Sequence, residues 1–453
     1  MPLTGIEIFK LLPRKNCGEC GVPTCLAFAM NLASGKAELS SCPYVSEEAK
    51  EKLADMAAPP IRPVTVGVGE RAIRIGGETV MFRHEKRFEN PPGIAILISD
   101  VMPEEEIKAR AKRLEGLWFE RVGRILRGDL AAIRYDSGDP DRFKAVVEMV
   151  LEETQAGIIL WSMDPKALDA GLSVSAGRKP LLYAATAENV SEVAEIAKRN
   201  GVPVAVKGRD LDETSSLSSK LSDLGIKDIV LDSGARSLKQ AFWDQVLIRR
   251  AALMSKERSL GYPTIVFLCE MAKDPMDEAL MASAFVAKYG GIIVLSDFHG
   301  EYLFPLLVGR LNIFTDPQRP LATTEGIYQI GNPDSSSPVL ITSNFSLTYF
   351  IVSGEISNSR VPSWLLVKDT EGLSVLTAWA GGKFSADLIA SFVKKCGIAE
   401  KVKHRKLIIP GYLAPESGAL EDELGDWEVI VGPREAANIP VFLRMWPFEE
   451  GGR

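Results

Sequence analysis

From residue 94 onward, short apolar runs recur along the chain, and most are separated by charged stretches of helical period. The runs are IAILISD (94), LAAIRYD (130), GIILWS (157), PLLYAA (180), PVAVKG (203), KDIVLDSG (227), TIVFLCE (264) and GIIVLSD (291). They are rich in Ile, Val and Leu with little alternation, as strands buried on both faces of a parallel sheet are. PEEEIKARAKRLEG and ENVSEVAEIAKRN are two of the helical stretches. Eight strands with seven intervening segments, each starting 23 to 37 residues after the last, predict a (β/α)8 barrel over residues 93–314. A doubly wound open sheet is the alternative, and the count of eight favours closure.

A second pattern follows the Pro/Ser/Asp/Gly-rich break GNPDSSSP. PVLIT (338), WLLVKD (364), SVLTAW (374), KLIIPG (406) and WEVIVG (427) read as strands with helices between them. They predict a smaller, mostly parallel, open doubly wound α/β domain over 325–453. Ahead of the barrel, AAPPIRP marks a linker, and VTVGVGERAIRIGGETVMF alternates around GG as a short β-hairpin would. Residues 58–92 are therefore expected to connect the barrel to a small unit, residues 1–57, with a helix in TCLAFAMNLASGKAEL.

Composition narrows the function classes. With 46% hydrophobic and 25% charged residues, the chain reads as soluble and globular. A net charge of −7, with no Lys/Arg block, argues against nucleic acid as a partner. MPLTGIEIFKLLP lacks the pattern of a secretory signal. The apolar runs are much shorter than the ~20 residues that span a bilayer. A cytoplasmic location is expected, where clustered cysteines bind metal or do redox chemistry rather than pair.

Four of the six cysteines lie in the first tenth of the chain, spaced Cys-x2-Cys-x4-Cys-x16-Cys at Cys17, Cys20, Cys25 and Cys42. Three thiolates on a tight loop can wrap one side of an inorganic cube, and the fourth closes it. Gly18 and Gly21 allow the positive φ that turns N–H groups toward sulfide, and Pro43 echoes the Cys-Pro ending of many cluster motifs. Structural zinc more often uses two Cys-x2-Cys pairs, so the spacing favours a 4Fe–4S cluster over zinc. Cys269 and Cys396 read as core or helix-end thiols without a role.

Taken together, NCGECGVPTCLAFAMNLASGK…SCPYV, the barrel ending in TDPQ, TSNFSLTYF…SGEI, DTEGLSVLTA and EVIVGPREA resemble one family over the whole chain. It is the large (gamma) subunit of the corrinoid iron–sulfur protein of the reductive acetyl-CoA (Wood–Ljungdahl) pathway, the acetyl-CoA decarbonylase/synthase gamma family. The resemblance implies an N-terminal 4Fe–4S domain, a TIM barrel and a C-terminal corrinoid-binding domain. It also implies a methyl carrier. Co(I) takes a methyl group from methyltetrahydrofolate through a separate methyltransferase and passes it to acetyl-CoA synthase. The partners so implied are a homologous small subunit in a heterodimer, the methyltransferase, acetyl-CoA synthase and a low-potential electron donor. Whether such a carrier counts as an enzyme of the methyltransferase class is left open.

Ligands of parallel sheets sit outside the carboxyl ends of the strands. In the last domain those ends offer hydroxyls at Thr342, Ser343, Ser346, Thr348, Thr370 and Ser374, glycines at Gly372, Gly411 and Gly432, and helix-starting amides. A corrin, planar and fringed with amides, needs such donors and open backbone more than one strong charge. With the resemblance, the expected corrinoid contacts are Thr342, Ser346, Thr348, the run Thr370, Glu371, Gly372, Leu373 and Ser374, then Gly411, and the run Arg434, Glu435, Ala436 and Ala437. No phosphate-binding glycine loop occurs at these turns, so a nucleotide site is the poorer reading.

No Asp-x-His-x-x-Gly run is present, and the three histidines, His84, His299 and His404, are not placed to hold cobalt. A base-off corrinoid without a protein histidine ligand is expected. That state favours low-coordinate Co(I), and its occasional loss to Co(II) gives the cluster a task, returning a low-potential electron. The barrel's strand ends carry Asp100, Asp136, Asp164, Lys207, Asp232, Glu270, Asp297 and His299. Capping carboxylates are common there, and the barrel reads as scaffold and docking surface rather than as an active site. Two other functions remain: a self-sufficient barrel methyltransferase, and an electron-transfer subunit without its own corrinoid.

Overall fold

The computed structural model describes residues 4–34, 36–46, 49–50, 53, 58–316 and 320–447. The expected boundary at residue 57, and the last two residues of TDPQ, lie outside them. Two compact units emerge, residues 1–117 with 127–313 and residues 118–126 with 314–453.

In the first unit, the N-terminal lobe begins with two short helices. Gly5–Leu11 is held by Thr4, which caps Glu7 and is capped by it in return. Cys25–Ala33 starts at Thr24, whose hydroxyl accepts from the Ala27 N–H. The second helix is shorter than the sequence suggested, because a 3-10 turn at Leu39–Ser41 carries the chain toward Cys42. Ile8, Leu12, Phe28 and Ala29 form the lobe's core with Cys25 and Cys42.

Strands β1 (Val64–Val66) and β2 (Ile73–Ile75) pair antiparallel. The expected hairpin is present, but its turn is Gly67–Ala72 and not GG. Gly76 serves close approach instead: a Cβ there would stand 2.5 Å from the Arg62 carbonyl oxygen. Val64, Val66 and Ile75 pack into the cluster that fills the barrel, so the connector plugs the barrel base rather than merely leading to it.

The barrel begins with β3 (Gly93–Ser99) and, after a second hairpin, β4 (Trp118–Arg121) with β5 (Arg124–Arg127), continues through β6 (Leu130–Arg134), β7 (Gly157–Trp161) and β8 (Leu181–Ala185). It is completed by β9 (Val204–Lys207), β10 (Ile229–Asp232), β11 (Ile265–Phe267) and β12 (Ile292–Leu295). The order is β10-β9-β8-β7-β6-β3-β12-β11, all parallel. A parallel bridge from Leu231 to Thr264 brings the end strands together in a nearly closed TIM-type ring. The eight strands start within two residues of the positions the apolar runs gave. Hairpin β4–β5 was not foreseen, because its residues, Leu126 apart, are exposed or half-buried and do not alternate apolar with polar positions.

At the barrel base, Arg249 is almost fully buried between the rings of Tyr289 (4.4 Å) and Phe88 (5.4 Å), with Glu78 of the connector 3.4 Å away. Burial pushes Glu78 up and Arg249 down, each opposed by the other's charge. Replacing Glu78 by Ala strands a buried guanidinium and is expected to cost about 3–5 kcal/mol. The double variant Glu78→Leu/Arg249→Met should recover most of that loss, as read by the urea midpoint of unfolding.

The second unit is built on a five-stranded sheet of β13 (Gly326–Ile330), β14 (Val339–Ser343), β15 (Ser363–Lys368), β16 (Lys406–Ile409) and β17 (Glu428–Val431). Its order is β13-β15-β14-β16-β17, with only β13 antiparallel. The open, mostly parallel sheet is as expected, but one strand differs. SVLTAW is not a strand; Ser374 precedes a helix, Val375–Ala380, that packs on the sheet face. A run that short has no period to tell strand from helix. The fifth strand is β13, a half-exposed edge strand whose GIYQI lacks the apolar signature. Helices Val375–Ala380, Ala386–Lys395 and Ser417–Leu424 cover one face, and Ser346–Ser359 and Ile439–Leu443 cover the other. No helix among the described residues is long and apolar enough to cross a membrane.

Candidate functional site

The lobe brings its thiols in from three places. Cys17 and Cys20 lie on the loop between the helices, Cys25 is the first residue of the second helix, and Cys42 follows the 3-10 turn. Cys25 and Cys42 are buried, Cys20 is half-buried and Cys17 exposed. Arg14, Asn16, Gly18 and Gly21 all have positive φ. Left-handed residues interleaved in a loop let its N–H groups face a negative group. One N–H already faces sulfur: the Asn16 amide donates to Cys25 Sγ at 3.4 Å, and the Cys25 amide donates to Asn16 Oδ1 at 2.8 Å. Tyr44 ties the segments together, donating to Glu19 Oε1 at 2.8 Å beneath Lys15 Nζ, 3.8 Å from its ring centre. Its hydrogen bond to Glu19, then the Glu19 charge, burial and the nearby Cys17 and Cys42, hold its phenol above the ordinary range.

Among the described residues no three His, Cys, Asp or Glu side chains close on one metal ion. A four-iron cube takes each thiolate on a different iron, so its sulfurs stand wider apart than the ligands of a single ion. An all-sulfur donor set, two of its thiols in an apolar core, and an N–H aimed at one of them fit an iron–sulfur cluster. Cys269 and Cys396 stand apart from it in the barrel and at a helix end, and burial raises both thiols, Cys269 to about 12.

The second unit has its own focus. Strand order reverses between β14 and β16, the topological switch point where open parallel sheets bind ligands. The two strands pair at one register position, Leu340 with Ile408. Thr342 and Ser343 end β14, fully buried, and neither hydroxyl has a hydrogen-bond partner. They point to opposite faces, Thr342 with Leu340 and Ser343 with Ile341. A buried, unpaired hydroxyl is costly, and these two lie at the switch point, one on each face of the sheet.

Asn344, next in line and not singled out from the sequence, organises the neighbouring loop. Its Oδ1 accepts from the Thr370 amide (3.0 Å), the Thr370 hydroxyl (3.0 Å) and the Gly372 amide (2.9 Å). Its Nδ2 donates to Asp369 Oδ1 (2.8 Å), which also accepts from the Glu371 amide (2.9 Å). Glu371 and Gly372 both have positive φ, and Glu371 is ion-paired to Lys383. Ser346 begins the next helix, its amide bonded to Leu321 O, with Thr348 half-buried two residues on. Ser374 exchanges a hydrogen bond with Thr377, and Leu373 packs half-buried against the core.

Leu347 and Ile351 on the helix after β14, and Leu376 on the helix after the Thr370–Ser374 loop, are exposed apolar side chains. Gly411 is a glycine for packing reasons: a Cβ would lie 2.6 Å from the Gly432 oxygen and the Arg434 amide. Arg434 and Glu435 flank Tyr412, which donates to Glu435 at 2.9 Å, and Ala436 and Ala437 open a 3-10 turn. The structure thus gathers the first two groups of expected contacts at the ends of β14 and β15, and the third at the ends of β16 and β17. Asn344 was missed because its partners lie some 25 residues on, where no spacing rule reaches.

The barrel mouth is filled by its own side chains. Trp161, Tyr183 and Phe267 meet with ring centres 4.3 to 5.6 Å apart. Tyr183 donates to Asp232 at 2.6 Å, and Arg236 bonds both Asp232 oxygens, the Tyr183 hydroxyl and Glu270. Burial and then Asp232 push the Tyr183 phenol far up. Asp100 accepts from the amides of Asp136 and Ser137, Asp164 caps the Lys166 amide, and Asp297 pairs with Arg113. These strand-end carboxylates are engaged in caps and ion pairs. His299 lies near Tyr302, His84 stacks on Phe82, and His404 bonds the Ser337 carbonyl at the amino end of β16.

A family model described as the CO dehydrogenase/acetyl-CoA synthase delta subunit matches residues 63–443, and an Fe-S cluster model matches residues 12–44. The corrinoid/iron-sulfur protein large subunit of Moorella thermoacetica is 50% identical over 444 residues, 98% of this chain and 99% of that one. The acetyl-CoA decarbonylase/synthase complex subunit gamma of Methanopyrus kandleri is 36% identical over 452 residues, 97% of each. Subunit gamma 1 of Methanosarcina mazei is 39% identical over 464 residues, 98% of each.

Proposed function

The chain belongs to the family of corrinoid/iron–sulfur protein large subunits and acetyl-CoA decarbonylase/synthase gamma subunits, and from that premise we propose that it is the corrinoid-carrying large subunit of the acetyl-CoA pathway. The observation that carries the proposal is the pair of partnerless buried hydroxyls, Thr342 and Ser343, at the switch point between β14 and β16. A corrinoid bound there supplies a cobalt that accepts and releases a methyl group, and a 4Fe–4S cluster on the lobe supplies the low-potential electron that keeps cobalt reduced.

The residues divide the work. Thr342, Ser343 and the amides of the Thr370–Ser374 loop meet the polar fringe of the ring. Leu347, Ile351 and Leu376 offer it an apolar face. Asn344 fixes the loop before the ring arrives, which lowers the ordering cost of binding. Thr348, Ser346, Arg434, Glu435, Ala436 and Ala437 complete the proposed contacts. Within this unit His404 bonds the Ser337 carbonyl just before β16, at the opposite end of the strands, which supports a base-off corrinoid. Cys17, Cys20, Cys25 and Cys42 are the proposed iron ligands.

The relatives' names, a large subunit and complex subunits, support a second, small subunit and assembly with acetyl-CoA synthase. A methyltetrahydrofolate methyltransferase and a low-potential donor complete the proposed partners, with the cytoplasm as the place of action. The filled barrel mouth supports a scaffold rather than a separate methyltransferase site.

The test is metal analysis and an anaerobic visible spectrum of the protein purified with its small subunit. About four irons and four labile sulfides per chain, with one cobalt and a base-off spectrum, are expected. Stoichiometric zinc would overturn the cluster, and absence of cobalt would overturn the carrier. His404→Ala and His299→Ala should leave the cobalt bands unchanged.

A further inference from the structure

We infer that Asn16 is a positioning residue for the cluster, holding Cys25 in place and aiming an N–H at its sulfur; the inference rests on the iron–sulfur reading of the lobe. The evidence is a reciprocal pair of hydrogen bonds across nine residues. The Asn16 side chain accepts from the Cys25 amide at 2.8 Å, and the Asn16 amide donates to Cys25 Sγ at 3.4 Å.

Three features make this pair more than a loop contact. Cys25 is the first residue of its helix, so its amide has no partner within the helix, and Asn16 Oδ1 satisfies it while Thr24 satisfies Ala27. The side chain therefore fixes the loop against a rigid element. Asn16 has φ +48, a left-handed conformation that asparagine tolerates better than most side chains, and that conformation directs its amide toward the sulfur. Cys25 is buried with Phe28 and Ala29 while Asn16 is exposed, so the sulfur is fixed in the lobe's core and the Asn16 amide approaches it from the surface in a part-buried contact.

An N–H aimed at a ligating sulfur favours the state that carries more negative charge, which is the reduced one. Asn16 should therefore raise the midpoint potential as well as order the loop. Three variants separate the two effects. Asn16→Gly accepts the left-handed backbone but removes Oδ1. Asn16→Asp keeps the acceptor and adds a negative charge. Asn16→Ala removes the acceptor and strains the backbone.

The experiment uses the full chain with its small subunit, reconstituted without oxygen. Iron per chain is measured, and the fraction reduced at fixed potentials is read by electron paramagnetic resonance. Asn16→Asp is expected to retain wild-type iron, with its reduced-to-oxidised ratio at a given potential lowered by about tenfold, 59 mV for a one-electron couple. Asn16→Gly and Asn16→Ala are expected to lose iron on dialysis, the alanine variant faster. Equal iron and an unchanged potential in all three would overturn the inference, as would loss of iron from Asn16→Asp to the same extent as from Asn16→Gly. A wild-type protein holding zinc fails the iron–sulfur reading itself, and is told apart by the metal analysis before any variant is compared.

Discussion

Cys20→Ala, its cobalt reduced beforehand by a small chemical reductant, is expected to take up methyl groups at the wild-type rate, yet to stay inactive once its cobalt has oxidised and only a protein electron donor is present. Cys20 is the apt position because it is half-buried at the edge of the lobe core. Cys25, Cys42 and Phe28 keep the packing, and Thr4 and Thr24 still cap both helices. The lobe loses one cluster ligand rather than its fold. The proposed corrinoid contacts are all in the other unit, where Asn344 bonds Asp369, Thr370 and Gly372. Methyl acceptance followed by stopped-flow, and reactivation followed after deliberate oxidation, read the two halves separately. If the chemically reduced variant binds corrinoid but cannot be methylated, the cluster does more than relay electrons.

The barrel was legible because burial on both faces writes itself into each strand as an unbroken apolar run, and eight such runs at βα spacing leave few other architectures. The open sheet was legible for the same reason at β14, β15, β16 and β17. It failed at its edge, where β13 is half-exposed, and at Val375–Ala380, where a six-residue helix buried on one side looks like a strand. The proposed cluster thiols were visible as types and spacings, since a thiolate donor set is written in the sequence as clustered cysteines. The residues that hold them were not. Asn16 stands beside Cys17 in the sequence, but its partner is Cys25, and only the loop's left-handed turns bring the two together. The proposed corrinoid contacts could be expected at strand ends from topology alone. Which of those polar groups are already spent on the protein, as Thr370 is on Asn344 and Leu373, and which are free, as Thr342 and Ser343 are, depends on tertiary hydrogen bonding that no periodicity encodes.

Asn344→Ala should therefore be the most damaging single change in the corrinoid unit, although nothing in its type marks it as a ligand. Three acceptor contacts and one donor contact vanish together. The Thr370 and Gly372 amides are buried, and leaving both without an acceptor is expected to destabilise the unit by about 2–4 kcal/mol. The larger effect falls on binding. The Thr370–Ser374 loop would have to be ordered largely by the ring, with the Lys383 ion pair, Asp369 and the turn hydrogen bonds between Thr370 and Leu373 left to hold the left-handed residues Glu371 and Gly372. Cobalt retained per chain after gel filtration should fall from about one to near zero, while iron in the lobe stays at the wild-type level. Asn344→Asp keeps the Oδ1 acceptor but sets a carboxylate against Asp369 Oδ1, which now receives Nδ2 at 2.8 Å. It should lose cobalt too, through repulsion rather than missing acceptors, and its loss should be milder at high salt, where the two charges are screened. Full cobalt retention in Asn344→Ala would remove the loop from the site and leave the ring to Thr342, Ser343 and the crevice between β14 and β16.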